Sequence, residues 1–259
     1  LCSGNPQQVA ELTEVLTSTN SERQELTREL YDLAIEQAKE QEDQHMLVIH
    51  SDQFHEGIIG LIAGRLVEKF SKPAIVLAVS EYTAKASVRS VPGVHVTDYL
   101  RNFKDSMTSL GGHPMAAGFG VEVLKLEKLI TEIQERALIE ISKEMLESTL
   151  TIEAQLPPEL VSLDLTEVLD GFAPFGSAND YPVFALHDVK LLTAKTMGKD
   201  NSHLLMTIQL AEDMPPLKVI GWRKAYLATE FQTGTVLTIA GVIEKNVWRN
   251  RTSLQMVLT

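Results

Sequence analysis

Two short apolar runs on either side of an amphipathic helix are the feature of this sequence that most restricts its fold. Residues 46–49 and 74–79 are apolar throughout, without the alternation of a half-exposed strand, so we predict two strands buried on both faces. Between them, residues 56–70 place apolar side chains at helical spacing, and Pro73 ends the helix. This order predicts a parallel βαβ unit within an α/β layer domain.

The predicted α/β domain covers residues 45–148. The same patterns predict its remaining elements, which are strands at 84–90 and 116–121, a short helix at 96–103, a glycine-rich turn at Gly111–Gly112 and a long helix at 123–147.

Residues 149–259 carry mostly short β-type runs. We predict a strand at 151–156, a helix at 159–169, and then five strands at 183–193, 203–210, 217–222, 236–244 and 252–258. Five strands in a segment of this size predict a small closed β-barrel.

Residues 1–44 contain apolar side chains at spacings near three, four and seven. The pattern predicts one or two amphipathic helices, which the polar stretch 18–21 could break or cap. The apolar surface is too small for this segment to fold alone, so we expect a helical connector.

The net charge of −12 argues at first against nucleic acid as a partner. However, residues 1–44 hold 10 acids and 3 bases, which accounts for −7 of that charge. The C-terminal stretch 245–259 contains Lys245, Arg249 and Arg251 and no acid. Small basic patches therefore exist within an acidic chain. The run of acids in residues 1–44 is of the kind that usually forms only a solvated helix face.

Apolar runs in this sequence are too short for the roughly 18–20 residues of a membrane span, so we expect no membrane partner. We also expect no secretory signal, since the sequence does not open on a basic and then apolar leader. Cys2 is the single cysteine, which excludes an internal disulfide and fits a reducing cytoplasm.

The string from Leu110 to Phe119, LGGHPMAAGF, is the most informative motif. Gly111 and Gly112 carry no β-carbons, so a ligand could approach the backbone closely, and their N–H groups could point at an anion. His113 would add a donor, or a cation when protonated. The alternative is a tight turn whose histidine only satisfies the backbone.

A second motif is KASVRS, residues 85–90. In a strand, Ser87 and Arg89 point to the same face, and a guanidinium beside a hydroxyl suits a phosphate or a carboxylate. The alternative is an ordinary exposed strand with a surface arginine.

Together these motifs carry a family resemblance. HEGIIGLIAGRL, SVRS and GGHPMAAGF resemble the DHH-associated substrate-binding domain, and FAPFGSANDYPVF and NVWRNRTSLQMV resemble the oligonucleotide-binding (OB) domain of the bacterial RecJ family of single-strand-specific exonucleases. Oligoribonucleases, cyclic-dinucleotide phosphodiesterases and alanyl-tRNA synthetases share the first domain, but the barrel segment favours RecJ. The resemblance implies a connector (1–44), a DHH-associated α/β domain (45–148) and an OB-fold nucleic-acid-binding domain (149–259).

In that family, an N-terminal DHH phosphoesterase domain holds two Mn²⁺ or Mg²⁺ ions, and the sequence contains no Asp-His-His string. The resemblance therefore implies no metal ligands in this chain and a DHH domain as its partner. It also implies that Ser87, Arg89 and Ser90 grip phosphates of single-stranded DNA. Gly111, Gly112 and His113 would face the scissile phosphate, where His113 would stabilise developing charge.

Two tryptophans lie in the predicted barrel. Trp248, flanked by Arg249 and Arg251, is either an exposed stacking residue for single-stranded nucleic acid or part of the barrel core with arginines that serve solubility. Trp222 ends an apolar run and is predicted to be core.

The resemblance implies the substrate- and DNA-binding portion of a 5′-to-3′ single-stranded-DNA exonuclease of recombination and repair. It also implies that this chain lacks the metal-bearing catalytic domain, so we expect the chain to hydrolyse little by itself. One alternative is a non-catalytic nucleic-acid-binding or replication scaffold that uses the acidic helix at 11–43 for docking. Another is a small-nucleotide phosphodiesterase relative, against which the β-rich tail argues.

Overall fold

The computed structural model describes residues 4–259, so Cys2 lies outside the described residues. The chain forms two compact units, one up to Ser148 and one from Thr149. Among residues 4–259, no helix is both long enough and apolar enough to cross a bilayer.

Helix α1 (Pro6–Lys39) is one continuous helix. It begins after Asn5, whose side chain accepts hydrogen bonds from two backbone N–H groups of the first turn. The polar stretch at 18–21 does not interrupt it, because Ser18 and Ser21 direct their hydroxyls to a side chain and a carbonyl four residues away in the same helix. Buried residues are confined to its second half, from Thr27 to Ala38.

The first unit contains one mixed five-stranded sheet. Its strands are β1 (Leu47–Ser51), β2 (Ala74–Val79), β3 (Thr83–Arg89), β4 (Met107–His113) and β5 (Ala116–Glu122), and they lie in the order β1-β2-β3-β5-β4. Its helices besides α1 are α2 (Ile59–Phe70), α3 (Val96–Arg101) and α4 (Val123–Glu140).

The predicted βαβ unit is confirmed: β1 and β2 pair in parallel and α2 connects them. Helix α2 begins three residues later than predicted, because the ring of His55 accepts the N–H of Gly57 and holds a turn there. It ends at Phe70, because the next residue, Ser71, takes a left-handed φ of 52° shortly before Pro73. The remaining strand pairs are antiparallel.

Two predicted elements of this unit differ from the structure. Gly111 and Gly112 do not form a turn; both lie within β4, and the chain reverses direction between His113 and Ala116. The long helix ends at Glu140 instead of residue 147, because Ile141 takes an extended conformation and is buried in the core.

Both faces of the sheet carry an apolar core, but only one face is covered along its whole width. Helices α3 and α4 pack on one face, against alternate residues of all the strands from β1 to β5. On the other face, α1 and α2 bury side chains of β1 and β2. The same face of β3, β5 and β4 has no buried apolar cluster among the described residues, and it forms an open floor beside α2.

The second unit is a sheet closed on itself. After β6 (Ala154–Gln155) and α5 (Leu163–Asp170) come five longer strands, β7 (Phe184–Met197), β8 (His203–Gln209), β9 (Leu217–Gly221), β10 (Val236–Trp248) and β11 (Arg251–Leu258). Strand β10 pairs with both β11 and β7, so the order β10-β11-β9-β8-β7 closes into a ring, as the barrel prediction expected.

The ring encloses the core of the second unit, which includes Leu186, Leu191, Leu204, Val219 and Met256. The predicted strand 151–156 shortens to the two residues of β6. The predicted helix begins only at Leu163, where the hydroxyl of Ser162 accepts the N–H of Leu165 as an N-cap.

Candidate nucleic-acid interface

The open floor is arranged in rows across three antiparallel strands. One row joins Arg89 of β3 to Ala116 of β5 and His113 of β4. Because residues directly opposite one another in antiparallel strands share a face, these three side chains point to the same side of the sheet. Strand spacing of about 4.8 Å places the Cα atoms of Arg89 and His113 roughly 10 Å apart.

A second row of the floor joins Ser87 to Gly118 and Gly111. A β-carbon built at Gly111 would have no atom within 4 Å, and one at Gly118 would meet only a backbone oxygen at 3.3 Å. The floor is therefore shallow and free of side chains at its centre, so an extended ligand could reach the sheet backbone.

The guanidinium of Arg89 is held between β3 and the first turn of α2. Its Nη1 donates hydrogen bonds to Ser87 Oγ at 3.1 Å and to the carbonyl of Val88 at 2.9 Å. On the α2 side, a β-carbon at Gly60 would lie 3.0 Å from both Arg89 Nη2 and Ser87 Oγ. A guanidinium has five N–H donors, so its other nitrogens retain the capacity to bind an anion in a fixed orientation.

Lys85 extends the floor, although the sequence analysis did not assign it to the site. It lies two and four residues before Ser87 and Arg89 on the same face, and its Nζ lies 2.8 Å from Glu56 Oε2. The period of two along β3 is the sequence signal that would have found it.

His113 is exposed at the end of β4. Its backbone oxygen accepts a hydrogen bond of 2.6 Å from the hydroxyl of Thr97, which ties the end of this strand to α3. The imidazole therefore lies on the open face, in the row of Arg89, and not in the packed core.

Ser90 is not part of the floor. It is 5% exposed, and its hydroxyl donates to the carbonyl of Val94 at 2.7 Å, where it stabilises the loop that follows β3. The expected phosphate contact from this side chain is therefore corrected: alternation along the strand directs Ser90 away from the face of Arg89.

Gly112 serves strand pairing. It has a φ of 152°, and a β-carbon there would lie 2.5 Å from the backbone of Ala116 and Ala117. Since real β-carbons do not approach so closely, glycine is required for β4 and β5 to meet at this point. This requirement explains the second glycine of the GGH string without a ligand.

Trp248 and its two arginines form the tip of the β10–β11 hairpin. Trp248 pairs with Arg251, and the two residues between them, Arg249 and Asn250, have φ values of 49° and 59°, as in a type I′ turn. The indole of Trp248 is 68% exposed, which excludes the core interpretation. The guanidinium carbon of Arg249 lies 5.8 Å from the ring centroid.

Trp222 is not a core residue, in contrast to the prediction. It follows the last residue of β9 and is 53% exposed. The apolar run that precedes it is buried only as far as Gly221, because the ring of strands ends there.

Metal-binding clusters are absent from residues 4–259: no group of three or more histidine, cysteine or acidic side chains could hold an ion. The acids of α1 are spread along a helix. His187 lies beside Thr238, with 3.3 Å between its Nδ1 and the threonine hydroxyl oxygen.

Matches to known protein families fall separately on the two units of the chain. Residues 43–138 match the DHHA1 domain, and residues 152–259 match the RecJ OB domain. The single-stranded-DNA-specific exonuclease RecJ of Bacillus subtilis is 29% identical over 270 residues, covering 100% of this chain and 33% of the relative. The RecJ of Escherichia coli is 25% identical, covering 82% of this chain and 37% of the relative.

Among solved structures, RecJ of Thermus thermophilus in complex with Mn²⁺ matches with a TM-score of 0.80 at 21% identity. The match covers 100% of this chain and 37% of that one. The chain thus spans about a third of the length of the proteins that it matches. It contains a DHHA1 domain followed by an OB domain, and it is homologous to the C-terminal region of the RecJ single-stranded-DNA exonucleases.

Proposed function

We propose that this chain is the substrate- and DNA-binding portion of a RecJ-like exonuclease, which degrades single-stranded DNA from the 5′ end in recombination and repair. The reaction takes place in the cytoplasm, and the Mn²⁺ or Mg²⁺ ions are held by a DHH phosphoesterase domain of the same protein. Hydrolysis belongs to that domain, while this chain grips the strand.

The observation that carries the proposal is the open floor beside α2. It combines a fixed guanidinium and a hydroxyl, Arg89 and Ser87, with an exposed imidazole, His113, across a centre that has no side chains at Gly111 and Gly118. A DNA backbone laid on this floor would place phosphate oxygens against the donors. Such contacts hold the strand in register without selecting its sequence.

The hairpin tip of the second unit supplies the other element of the grip. An exposed indole with cationic neighbours suits single strands, because unpaired bases stack on the ring while arginines meet the phosphates. In the proposal, Trp248 stacks a base and Arg249 and Arg251 contact the backbone. Stacking of this kind contributes about 1–3 kcal/mol per base.

The described residues do not fit a catalytic metal pair, since no acidic or histidine cluster of sufficient size lies near His113. No step of the proposed role therefore runs through a metal held by these residues. His113 would donate a hydrogen bond to a phosphate oxygen from the floor and stabilise negative charge there.

We expect the chain to bind a fluorescently labelled 20-nucleotide single strand more tightly than a duplex of the same length, because only unpaired bases can stack on Trp248. Polarisation titrations at increasing salt should show a steep loss of affinity, since phosphate contacts release counterions. Incubation of the same complex with Mn²⁺ should leave the strand essentially intact.

Two results would contradict the proposal. Absence of binding even at low salt would favour the protein-docking scaffold. Rapid Mn²⁺-dependent shortening of the strand by this chain would show that it carries its own catalytic centre.

Gly60 provides a test of how the grip is built. Alanine there would place its β-carbon 3.0 Å from Arg89 Nη2 and Ser87 Oγ, so these side-chain ends must give by a few tenths of an ångström. A guanidinium pushed off its rotamer costs at most about 1.5 kcal/mol, so we expect Gly60→Ala to weaken binding of the single strand by up to about 10-fold.

Gly64→Ala is the matched control, because Gly64 lies in the same helix and has no atom within 4 Å of its would-be β-carbon. Both variants should gain helix propensity, but only Gly60→Ala should lose affinity in the polarisation titration. Equal affinities would show that α2 does not set the position of Arg89.

A further inference from the structure

Trp222 is an exposed aromatic residue of the second unit that the proposed function does not use. Trp222 immediately follows β9 and leaves about half of its surface in solvent, at 53% exposure. Single exposed apolar residues are common, so exposure alone carries no argument. The surroundings of Trp222 are more informative, because they hold the indole in one place and include positively charged residues.

His203 braces the indole of Trp222 from one side. The two ring centroids are 5.0 Å apart at 81°, an edge-to-face arrangement. The imidazole is itself fixed, since its Nδ1 accepts the backbone N–H of Arg223 at 3.0 Å. A β-carbon at Gly198 would lie 3.1 Å from the ring, so the β7–β8 loop packs closely against it.

The charges near Trp222 favour an anionic ligand. The stretch 222–226, WRKAY, contains two cations and no acid, within a chain of net charge −12. The nearby acid Asp200 accepts hydrogen bonds from the hydroxyl and the N–H of Ser202, at 2.8 and 3.2 Å. These hydrogen bonds lower the pKa of Asp200, and they direct its carboxylate into its own loop.

A second exposed ring follows in the same stretch. Tyr226 is 62% exposed and lies in a short 3₁₀ turn at Ala225–Thr229. The turn is attached to the β7–β8 loop, because the N–H of Ala225 donates to the carbonyl of Ser202. Indole, phenol and two cations therefore share one small region of the second unit.

We propose that Trp222, braced by His203, is a second base-stacking site for single-stranded nucleic acid, with Tyr226, Arg223 and Lys224 at its margin. This inference rests on the proposed function and extends it, because Trp248 alone would hold only one end of a strand on this unit.

Strand register gives the spacing of the two stacking sites. Arg251, the partner of Trp248, begins β11, and Ile220 pairs with Val257 near the end of that strand. The seven residue steps from Arg251 to Leu258 correspond to roughly 24 Å at about 3.4 Å per residue. At about 3.4 Å per stacked nucleotide, a strand of about seven nucleotides would span both sites, within the 4–16 nucleotides typical of one OB fold.

The two tryptophans are the only ones in the sequence, which makes each of them a separate reporter. In Trp248→Phe, all indole emission comes from Trp222, and in Trp222→Phe it comes from Trp248. Titration of the full chain with a 12-nucleotide oligothymidylate should quench both variants. A four-nucleotide oligomer should bind more weakly, because it is too short to reach both sites.

Affinity provides the second measurement. Trp222→Ala should weaken binding of the 12-nucleotide strand by roughly 5- to 150-fold, while Trp222→Phe, which keeps an aromatic face, should retain most of it. Thermal melting of each variant checks that the second unit remains folded. The gain in affinity between four and 12 nucleotides should become smaller in Trp222→Ala, because the longer strand then loses one of its contacts.

The outcomes separate this inference from the proposed function. If Trp248 is quenched while the emission of Trp222 in Trp248→Phe does not change, the second site is refuted and the proposed function stands. Unchanged affinity of a folded Trp222→Ala would equally refute the second site. If the unaltered chain binds no single strand at all, the proposed function itself fails.

Discussion

Gly112→Ala will lower the thermal stability of the first unit, whereas Gly111→Ala, one residue earlier, will not. A methyl group at Gly112 would lie 2.5 Å from the backbone of Ala116 and Ala117, and neither can move without separating β4 from β5. Overpacking and backbone strain of this kind each cost about 1–3 kcal/mol, so we expect a loss of about 2–6 kcal/mol. At about 2–4 °C per kcal/mol, the unfolding midpoint should fall by roughly 4–24 °C.

Gly111→Ala is the matched control, since nothing lies within 4 Å of its would-be β-carbon. Its stability should stay within about 0.5 kcal/mol of the unaltered chain. The added methyl group would nevertheless stand on the floor, so affinity for single-stranded DNA should fall. Calorimetric melting and polarisation titration measure the two effects separately. Equal melting of both variants would contradict the assignment of Gly112 to strand pairing.

Arg89→Ala should produce the largest loss of DNA binding. Hydrogen bonds to charged groups contribute about 1.5–3 kcal/mol, so removal of the guanidinium should weaken the affinity for a single strand by roughly 10- to 150-fold. If Arg89 contacts one phosphate, the slope of log affinity against log salt should decrease by about 0.7. Arg89→Lys should recover only part of the affinity, because a lysine keeps the charge but not the planar fork.

Arg101→Ala is the control for net charge. Arg101 is exposed on α3, on the opposite face of the sheet, where it pairs with Asp98. Its removal changes the charge of the chain equally and should alter the affinity by less than about twofold, since exposed pairs contribute little. Similar losses from Arg89→Ala and Arg101→Ala would indicate nonspecific attraction and would contradict a fixed phosphate contact on the floor.

Much of the floor was predictable from one strand. The period of two in β3 places Ser87 and Arg89 on one face, and both lie there in the structure. The same period adds Lys85 and directs Ser90 to the opposite face, so the error on Ser90 came from following the family motif beyond the alternation. Which face remains open was not predictable, because it depends on where α2 packs.

Other differences arise where local preference and tertiary contacts disagree. Two adjacent glycines favour a turn, but here they lie in a strand because β5 approaches too closely for any side chain at Gly112. Trp222 continues an apolar run and would be core by pattern alone, yet the ring of strands ends one residue earlier. The approach of β5 to β4 and the closure of the ring of strands are tertiary features, so local sequence preference does not predict them.

The order of apolar runs and helical patterns by itself determined the βαβ unit, the α/β class of the first unit and the number of long strands in the second, because hydrophobic periodicity is a local property of the chain. Only the tertiary structure decided that α1 and α2 bury apolar side chains of β1 and β2, while the same face of β3, β5 and β4 carries no buried apolar cluster among the described residues and forms the floor beside α2. It also decided that His113 lies in the row of Arg89. Those results depend on which distant segments pack together, and a site made from three strands exists only after they have paired.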